Sequence, residues 1–259
     1  MEYRENRKAG NLSRRLYIAF SAIVCLGITC VLFVTVSWLP PFGDPNNPTN
    51  NEVPAKYIED GLQDTGATNI VAGMILDYRA FDTFGETCVL FVTVCAIIML
   101  LHNDGFPDAF DTILHEMEEP RHNVILKNTA FLLIPMILIF GCYVVINGHL
   151  SPGGGFSGGA MIGAALILYA NAYGIKRAKK FINFKIYRRI VSICLIFYAL
   201  AKGYSFFTGA NHIESVIPLG TPGNLISAGL ILPLNIAVGL IVACTVYVIC
   251  TLFSKGELK

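Results

Sequence analysis

Long apolar stretches, separated by short polar segments, dominate the chain. Five of them are easily recognised, at about 16–38, 84–101, 124–146, 186–207 and 225–253. Each is long enough to cross a bilayer core of roughly 30 Å as a helix that rises about 1.5 Å per residue. A sixth stretch, at about 156–174, is rich in Gly and Ala, which are common where transmembrane helices approach closely. The pattern predicts an all-α integral membrane protein with six transmembrane helices.

The composition supports this interpretation. Hydrophobic residues make up 54% of the 259 residues and charged residues 14%, against about 45–50% and 25% in soluble domains. A soluble enzyme is therefore disfavoured, and the net charge of +1 offers no basic surface for nucleic acid. The eight cysteines lie in apolar runs without a CxxC pair. We interpret them as packing residues rather than metal or iron–sulfur ligands, and expect no cofactor.

The basic residues predict the orientation of the spans, because short cytoplasmic loops carry the excess of Lys and Arg. They are concentrated in residues 4–15 and 176–189, which lie on the same side of a six-span protein. Both termini are therefore expected in the cytoplasm. We further predict a two-span module over residues 1–105, an acidic cytoplasmic connector with an amphipathic helix over 106–122, and a four-span domain over 123–259.

A cluster of ionisable residues lies at the start of the second span. Residues 69–76 form an apolar run that is too short to cross the membrane, which predicts a short interfacial or re-entrant helix. Asp77, Arg79 and Asp82 follow it, and Glu86 lies inside the second span. On a helix beginning near Asp82, Asp82 and Glu86 share a face. Because a charged residue at the centre of a span costs roughly 2.5–3.5 kcal/mol or more, Glu86 should face protein, water or a cation.

Two interpretations of this cluster are open. In the first, the charges belong to an ion path, since a buried carboxyl group can exchange protons or bind a small cation. In the second, they are structural: Asp77 and Arg79 form a salt bridge, and Asp82 or Thr83 caps the helix.

A glycine-rich turn joins the third and fourth spans. Gly155, Gly159 and Gly163 are spaced four residues apart, which predicts that the fourth helix packs unusually close to a neighbour. In the sixth span, Asn235 must bond to a neighbouring helix, and Pro233 is expected to kink or weaken its own helix.

Two further ionisable residues are candidates for the ion path. His149, at the outer end of the third span, is either a proton carrier or an interfacial residue bonded to loop carbonyls. Lys202 interrupts the fifth span and either forms a buried charge or extends to the membrane interface.

Two motifs resemble a known family. DYRAFDTFGE, residues 77–86, resembles a motif near the C-terminal end of the A subunit of Mrp-type (Mnh) cation/proton antiporters, and the two-span E subunit of membrane-bound hydrogenases. GHLSPGGGFSGG, residues 148–159, resembles the signature of the four-span B subunit (MnhB) of the same antiporters. The chain is thus similar to an E-like module fused to a B-like domain.

The resemblance implies a non-catalytic subunit of an ion-translocating assembly in a prokaryotic inner membrane. The implied ions are Na⁺ and H⁺. The implied protein partners are other Mrp-type and hydrogenase-type membrane subunits: the antiporter-like A and D subunits and the small C, F and G subunits. In a redox-driven complex, a NiFe-hydrogenase-like peripheral module is a further implied partner. The matching motif positions are Asp77, Arg79, Asp82 and Glu86, then His149, Pro152, Gly153, Gly154, Gly155, Gly158 and Gly159.

Two positions depart from the antiporter pattern. Ser157 replaces a Gln, and Asn235 replaces an Asp that antiporter B subunits commonly have. The second change favours a redox-driven complex, such as a membrane-bound hydrogenase, over a stand-alone Mrp antiporter. A purely architectural subunit is a further alternative.

Overall fold

The structure is a computed structural model that describes residues 2–41, 43–44, 47, 50–101, 123–178, 180–213, 215–225 and 229–254. All regular structure in these residues is helical. The chain divides into two compact units, residues 1–54 and 55–259. The first unit contains α1 (Glu2–Ser37). The acidic connector predicted over 106–122, with its helix, lies outside the described residues.

The second unit begins within α2 (Glu52–Glu59) and continues with three short helical segments: α3 (Gly61–Thr65), α4 (Ile70–Gly73) and a π-helical turn (Met74–Tyr78). The longer helices α5 (Ala80–Leu101), α6 (Val124–Ile146) and α7 (Gly155–Tyr173) come next. The described chain ends with α8 (Ile175–Ala178), α9 (Phe184–Ala210) and α10 (Ile231–Phe253).

Six helices are long and apolar enough to cross a membrane, as the sequence predicts: α1, α5, α6, α7, α9 and α10. Three of these helices begin at different positions from the apolar runs. α1 begins at Glu2, well before the run at 16–38. α5 begins at Ala80, two residues before the predicted start near Asp82 and outside the apolar run at 84–101. α10 begins at Ile231, six residues after the predicted start.

Pro233 does not interrupt α10, contrary to the sequence prediction. It is the third residue of the helix. The first-turn N–H groups of a helix have no intrahelical acceptor, so a proline there removes no hydrogen bond. The proline inside a span is instead Pro135 of α6.

The most buried of the candidate spans is α10, which packs against α5, α6, α7 and α9. Leu234, Ile241 and Val248 are spaced seven residues apart and are fully buried. A helix that is apolar on all sides is suited to such a central position. α10 therefore forms the core around which the other spans of the second unit are arranged.

Candidate functional site

Asn69 joins the short apolar segment to the glycine loop, residues 147–154. Its side-chain oxygen caps α4 by accepting from two backbone N–H groups, at 3.1 and 3.3 Å. Its side-chain nitrogen donates to the carbonyl oxygens of Gly148 and Ser151, each at 2.9 Å. The backbone N–H of Asn69 donates to the carbonyl oxygen of His149 at 3.0 Å. The segment that precedes the first motif is thus in direct contact with the second motif.

The π-helical turn carries Asp77 between α4 and α5. It is closed by the backbone N–H of Arg79, which donates to the carbonyl oxygen of Met74 at 2.8 Å. The Thr83 hydroxyl donates to the carbonyl oxygen of Ile75 at 2.9 Å. Thr83 therefore ties α5 back to the π-helical turn and does not cap α5, which begins three residues before it. Single π-turns are frequent at functional sites.

Asp77 forms an ion pair with Lys202 of α9, here called the Asp77–Lys202 pair. The ammonium nitrogen of Lys202 lies 2.5 Å from a carboxylate oxygen of Asp77. The Lys202 side chain is 3% exposed, whereas that of Asp77 is 32% exposed. Of the two interpretations of Lys202, the structure selects the buried charge. The suggested salt bridge between Asp77 and Arg79 is wrong, because Asp77 pairs with Lys202, 125 positions away in the chain.

Arg79 pairs with Asp82 instead. The Arg79 Nε donates to an Asp82 carboxylate oxygen at 2.8 Å, and both side chains are more than half exposed. An exposed pair of this kind contributes about 0–1 kcal/mol to stability. Asp82 lies within the first turn of α5, so it is not the N-cap that the structural interpretation assigned to it.

Glu86 and Asp82 are four residues apart on α5, as the sequence predicts, and both are exposed on the surface of this chain. Tyr198 is fully buried in α9 and donates to the carbonyl oxygen of Ala80 at 3.0 Å. Tyr198, which sequence reasoning missed, therefore holds the start of α5 against α9.

The glycine stripe packs against α10, which confirms the predicted close approach and identifies its partner. A Cβ atom added at Gly155 or Gly159 would lie 2.5 or 2.6 Å from a backbone oxygen of α10, and at Gly163 3.1 Å away. Gly158 faces the other way, where an added Cβ would lie 2.7 Å from the Gly141 oxygen in α6. α7 is thus wedged between two helices.

Asn235 bonds to a neighbouring helix, as predicted. Its side-chain oxygen accepts from the backbone N–H of Gly155 at 2.9 Å, at the first residue of α7. Gly153 and Gly154, which follow Pro152, reach this position with φ angles of +145° and +133°. L-residues with a Cβ rarely adopt such angles, so the turn into α7 requires glycine.

His149 is fully buried beneath the loop that precedes α10. Its Nε2 lies 3.2 Å from the carbonyl oxygen of Asn224. Its Nδ1 has no hydrogen-bond partner among the described residues. One alternative for His149 in the sequence analysis was a bond to loop carbonyls. The structure shows such a contact, but the carbonyl belongs to the α9–α10 loop and not to the glycine loop.

A second polar network lies outside the spans. The Tyr78 hydroxyl donates to Asp64 at 2.6 Å, and Lys56 lies 3.3 Å from both Asp60 and Asp64. The hydrogen bond from Tyr78 holds the pKa of Asp64 below its ordinary value. Burial, followed by this carboxylate, raises the pKa of Tyr78.

In the described ranges, no three His, Cys, Asp or Glu side chains lie close enough to hold a metal ion. The eight cysteines are free thiols, of which Cys194 and Cys244 are buried in the helical core. These two pack as small apolar side chains.

Family models match two parts of the chain. Residues 14–118 match the family of the MBH E subunit (MbhE), and residues 125–248 match the domain related to the MnhB subunit of Na⁺/H⁺ antiporters. The chain thus contains a region that matches MbhE and a domain related to MnhB. An MbhE region precedes its MnhB domain, in the order that the two motifs indicate.

Relatives of this chain occur in archaea and bacteria. An uncharacterized protein of Methanocaldococcus jannaschii is 30% identical over 188 residues, which cover 66% of this chain and 71% of the relative. The Na⁺/H⁺ antiporter of Bacillus subtilis has a B-type subunit that is 36% identical over 64 residues, which cover 24% of this chain and 45% of that protein. The archaeal match therefore covers most of its relative, whereas the Bacillus subtilis match covers less than half of its relative's length.

Two solved structures resemble the chain over most of its length. One is a chain of the membrane-bound sulfane sulfur reductase, an archaeal respiratory membrane complex. The match has a TM-score of 0.67 and 26% identity, and it covers 92% of this chain and 98% of the reductase chain. The other belongs to the Mrp complex of Dietzia sp., with a TM-score of 0.62 and 24% identity. This second match covers 95% of this chain and 26% of the Mrp chain, and it shows a shared fold. The chain is therefore similar in fold to chains of a respiratory membrane complex and of an Mrp complex.

Proposed function

We propose that the chain is a non-catalytic subunit that contributes to Na⁺/H⁺ exchange within a redox-driven complex of a prokaryotic cytoplasmic membrane. The nearly end-to-end similarity to a chain of an archaeal respiratory membrane complex supports a redox-driven assembly. The MnhB match supports the exchange of Na⁺ and H⁺. The observation that carries the proposal is the Asp77–Lys202 pair.

An ion pair with a buried ammonium group on a transmembrane helix is difficult to explain by stability alone. Removing a charge from water costs several kcal/mol, and replacing a buried pair by apolar residues is often neutral or stabilising by about 1–4 kcal/mol. Intramembrane ionisable residues therefore mark ion and proton pathways more often than structural contacts. Glu86, one turn beyond Asp82 on α5, extends the line of charges along the same helix.

The proposal includes orientation and partners. Both termini lie in the cytoplasm, and the glycine loop and the α9–α10 loop face the opposite side. Other membrane subunits cover the exposed face of α5 that carries Asp82 and Glu86, because an uncovered carboxylate in hydrocarbon is costly. Antiporter-type subunits and a redox module are the partners that fit this assignment.

A second candidate function is architectural. It is favoured by the way the charges tie segments together: Lys202 holds the π-helical turn to α9, and Arg79 holds Asp82 at the start of α5. In this case the charges maintain the shape on which neighbouring subunits assemble, and no ion passes them.

The two functions are separated by the double variant Asp77→Asn/Lys202→Met, made in the complete complex. It removes both charges together, so neither partner is left as an uncompensated buried ion. The matched control is Lys56→Met/Asp60→Asn, which removes an exposed Lys–Asp pair. Assembly is measured by native gel electrophoresis and mass spectrometry of the co-purifying subunits, and Na⁺-dependent proton movement is measured in inverted vesicles.

We expect the double variant to assemble and to lose Na⁺-dependent proton movement, while the control keeps both. Assembly with an unchanged rate of proton movement would favour the architectural function. The co-purifying subunits also distinguish the type of complex: metal-containing oxidoreductase subunits indicate a redox-driven complex, and antiporter-type subunits alone indicate a stand-alone Mrp antiporter.

A further inference from the structure

A cavity of about 280 Å³ lies beside Asp77, where α9 ends and α10 begins. Among the described residues, its polar lining includes Asp77 and four residues with hydroxyl groups: Thr65, Ser205, Thr208 and Ser215. Since a water molecule occupies about 30 Å³ in the liquid, the cavity has room for several. Asp77 therefore contributes to the cavity lining and also pairs with the buried Lys202 ammonium group.

The cavity is built into the fold. Its outer wall includes Ile213, Ser215 and Ile217 of the α9–α10 loop. This loop is anchored to α9 twice: the N–H of Ile213 donates to the Thr208 carbonyl oxygen, and the N–H of Val216 donates to the Tyr204 hydroxyl, each at 2.9 Å. These two hydrogen bonds hold the outer wall of the cavity against α9, the helix that carries Lys202.

The hydroxyl groups make the wall rich in acceptors. Ser205 donates its proton to the carbonyl oxygen of Ala201 at 3.2 Å, and Thr65 donates to that of Gly61 at 2.6 Å. Thr208 likewise donates within its own helix, at 3.1 Å. A hydroxyl group has one proton and two lone pairs, so once the proton is used the oxygen can only accept. With the carboxylate, such oxygens suit a hard cation and its water shell, and they disfavour an anion.

We propose that this cavity binds a hydrated monovalent cation, which competes with the Lys202 ammonium group for the Asp77 carboxylate. The inference rests on the proposed function and specifies where its cation binds. When Na⁺ binds Asp77, the buried Lys202 ammonium group loses its carboxylate partner.

Titratable groups on two neighbouring elements lie within electrostatic reach of Asp77: Tyr78 in the π-helical turn and Tyr198 on α9. Among the described residues of the cavity wall, the charged side chain is that of Asp77, and α10 contributes the uncharged Ile231.

Thiol labelling of the complete complex tests the site directly. Ser205→Cys is treated with a cationic and an anionic methanethiosulfonate reagent, and labelling is quantified by mass spectrometry of the peptide that contains residue 205. We expect faster reaction with the cationic reagent, and slowing of that reaction by Na⁺ but not by choline. In the Asp77→Asn background both effects should disappear. Labelling that is insensitive to reagent charge and to Na⁺ would overturn the proposal.

Sodium dependence of proton movement tests the role of the hydroxyl oxygens. Thr208→Val preserves side-chain shape, and its control is Thr93→Val, which removes a similar i−4 bonded hydroxyl from α5 outside the cavity wall. We expect Thr208→Val to raise the half-saturating Na⁺ concentration by about two- to tenfold, the equivalent of one lost polar contact. Thr93→Val should leave it unchanged. Equal values for the two variants would exclude Thr208 from the site.

The two experiments distinguish a failure of the cation site from a failure of the proposed function. If the wild-type complex moves no protons in response to Na⁺, the proposed function is wrong. The cation site is judged by the Na⁺-dependent protection of Ser205→Cys, which requires no transport.

Discussion

The side chain of Asn69 donates a hydrogen bond to the carbonyl oxygen of Gly148 at 2.9 Å, and so joins the region that matches MbhE to the domain related to MnhB. The residues are 79 positions apart in the chain. Because the same side chain caps α4, one residue determines both where the short helix begins and where it lies against the glycine loop. The contact places the π-helical turn, and with it Asp77, relative to the membrane-spanning helices.

Asn69→Ala should lower the thermal stability of the complex in detergent more than Asn123→Ala does. Asn123 caps α6 through a bond to Leu126, so both variants lose a cap worth about 0.5–2 kcal/mol. Asn69→Ala also loses two bonds to loop carbonyls, each worth about 1 kcal/mol. Equal decreases in melting temperature would show that the tether to the glycine loop contributes nothing.

Gly159→Ala should separate α7 from α10. The added Cβ would lie 2.6 Å from the Gly239 carbonyl oxygen, and overpacking of this kind costs about 1–3 kcal/mol. Gly203→Ala in α9 is the control, since an added Cβ there contacts nothing within 4 Å. The control should be neutral or slightly stabilising through helix propensity. Melting temperatures in detergent measure both, and a stable Gly159→Ala variant would contradict the close packing.

Tyr78→Phe should reduce the sensitivity of the complex to acid. The Tyr78 hydroxyl holds the pKa of Asp64 below its ordinary value of about 3.9. A lowered carboxyl pKa contributes stability that is present above the ordinary pKa and lost as the pH falls through the lower, folded-state value. Without the Tyr78 hydroxyl, Asp64 contributes less stability at neutral pH, so the complex loses less stability when the pH is lowered.

The measurement is the fall in melting temperature as the pH is lowered from neutrality through the ordinary carboxyl pKa of about 3.9 and below it. Tyr57→Phe is the control: Tyr57 packs against the Tyr78 ring at a tilt of 46°, with centroids 4.9 Å apart, and its substitution leaves the Tyr78–Asp64 bond in place. An identical pH dependence for wild type and Tyr78→Phe would contradict the prediction.

Much of the fold follows from the sequence, whereas the ion pair does not. The spans are predictable because a bilayer sets the length of an apolar helix, and the glycine stripe reveals a close-packing face. The stripe does not identify its partner, α10. Periodicity reports local structure only, so it left the burial of Lys202 open and suggested Arg79 for Asp77, when the true partner lies on α9.

Other parts of the site had weak local signals. Asn69 could have been recognised as a helix N-cap, because it immediately precedes an apolar run. Ser205 and Thr208 resemble ordinary polar interruptions of a span, and only the folded α9–α10 loop encloses them in a cavity. The sequence predicts the start of α5 near Asp82, but not the bond from Tyr198 to Ala80, its first residue, because the two lie 118 positions apart.

Glu86→Gln should assemble normally and reduce Na⁺-dependent proton movement by about tenfold or more, because a unit charge within a few ångströms contributes a few kcal/mol at an effective dielectric constant of about 20. Glu59→Gln, at the end of α2 and outside the spans, is the matched control and should behave as wild type. Vesicles containing equal amounts of assembled complex provide the comparison. Unchanged pumping by Glu86→Gln would mean that Glu86 is not on the ion path.

The most direct test of the proposed role is the number of sodium ions moved per electron transferred by the complete complex in proteoliposomes. We predict that Asp77→Asn/Lys202→Met keeps electron transfer per complex and sharply lowers this ratio, because the ion pair acts on the moving ion and not on the redox chemistry. A ratio equal to that of the wild type, with the complex fully assembled, would contradict the account.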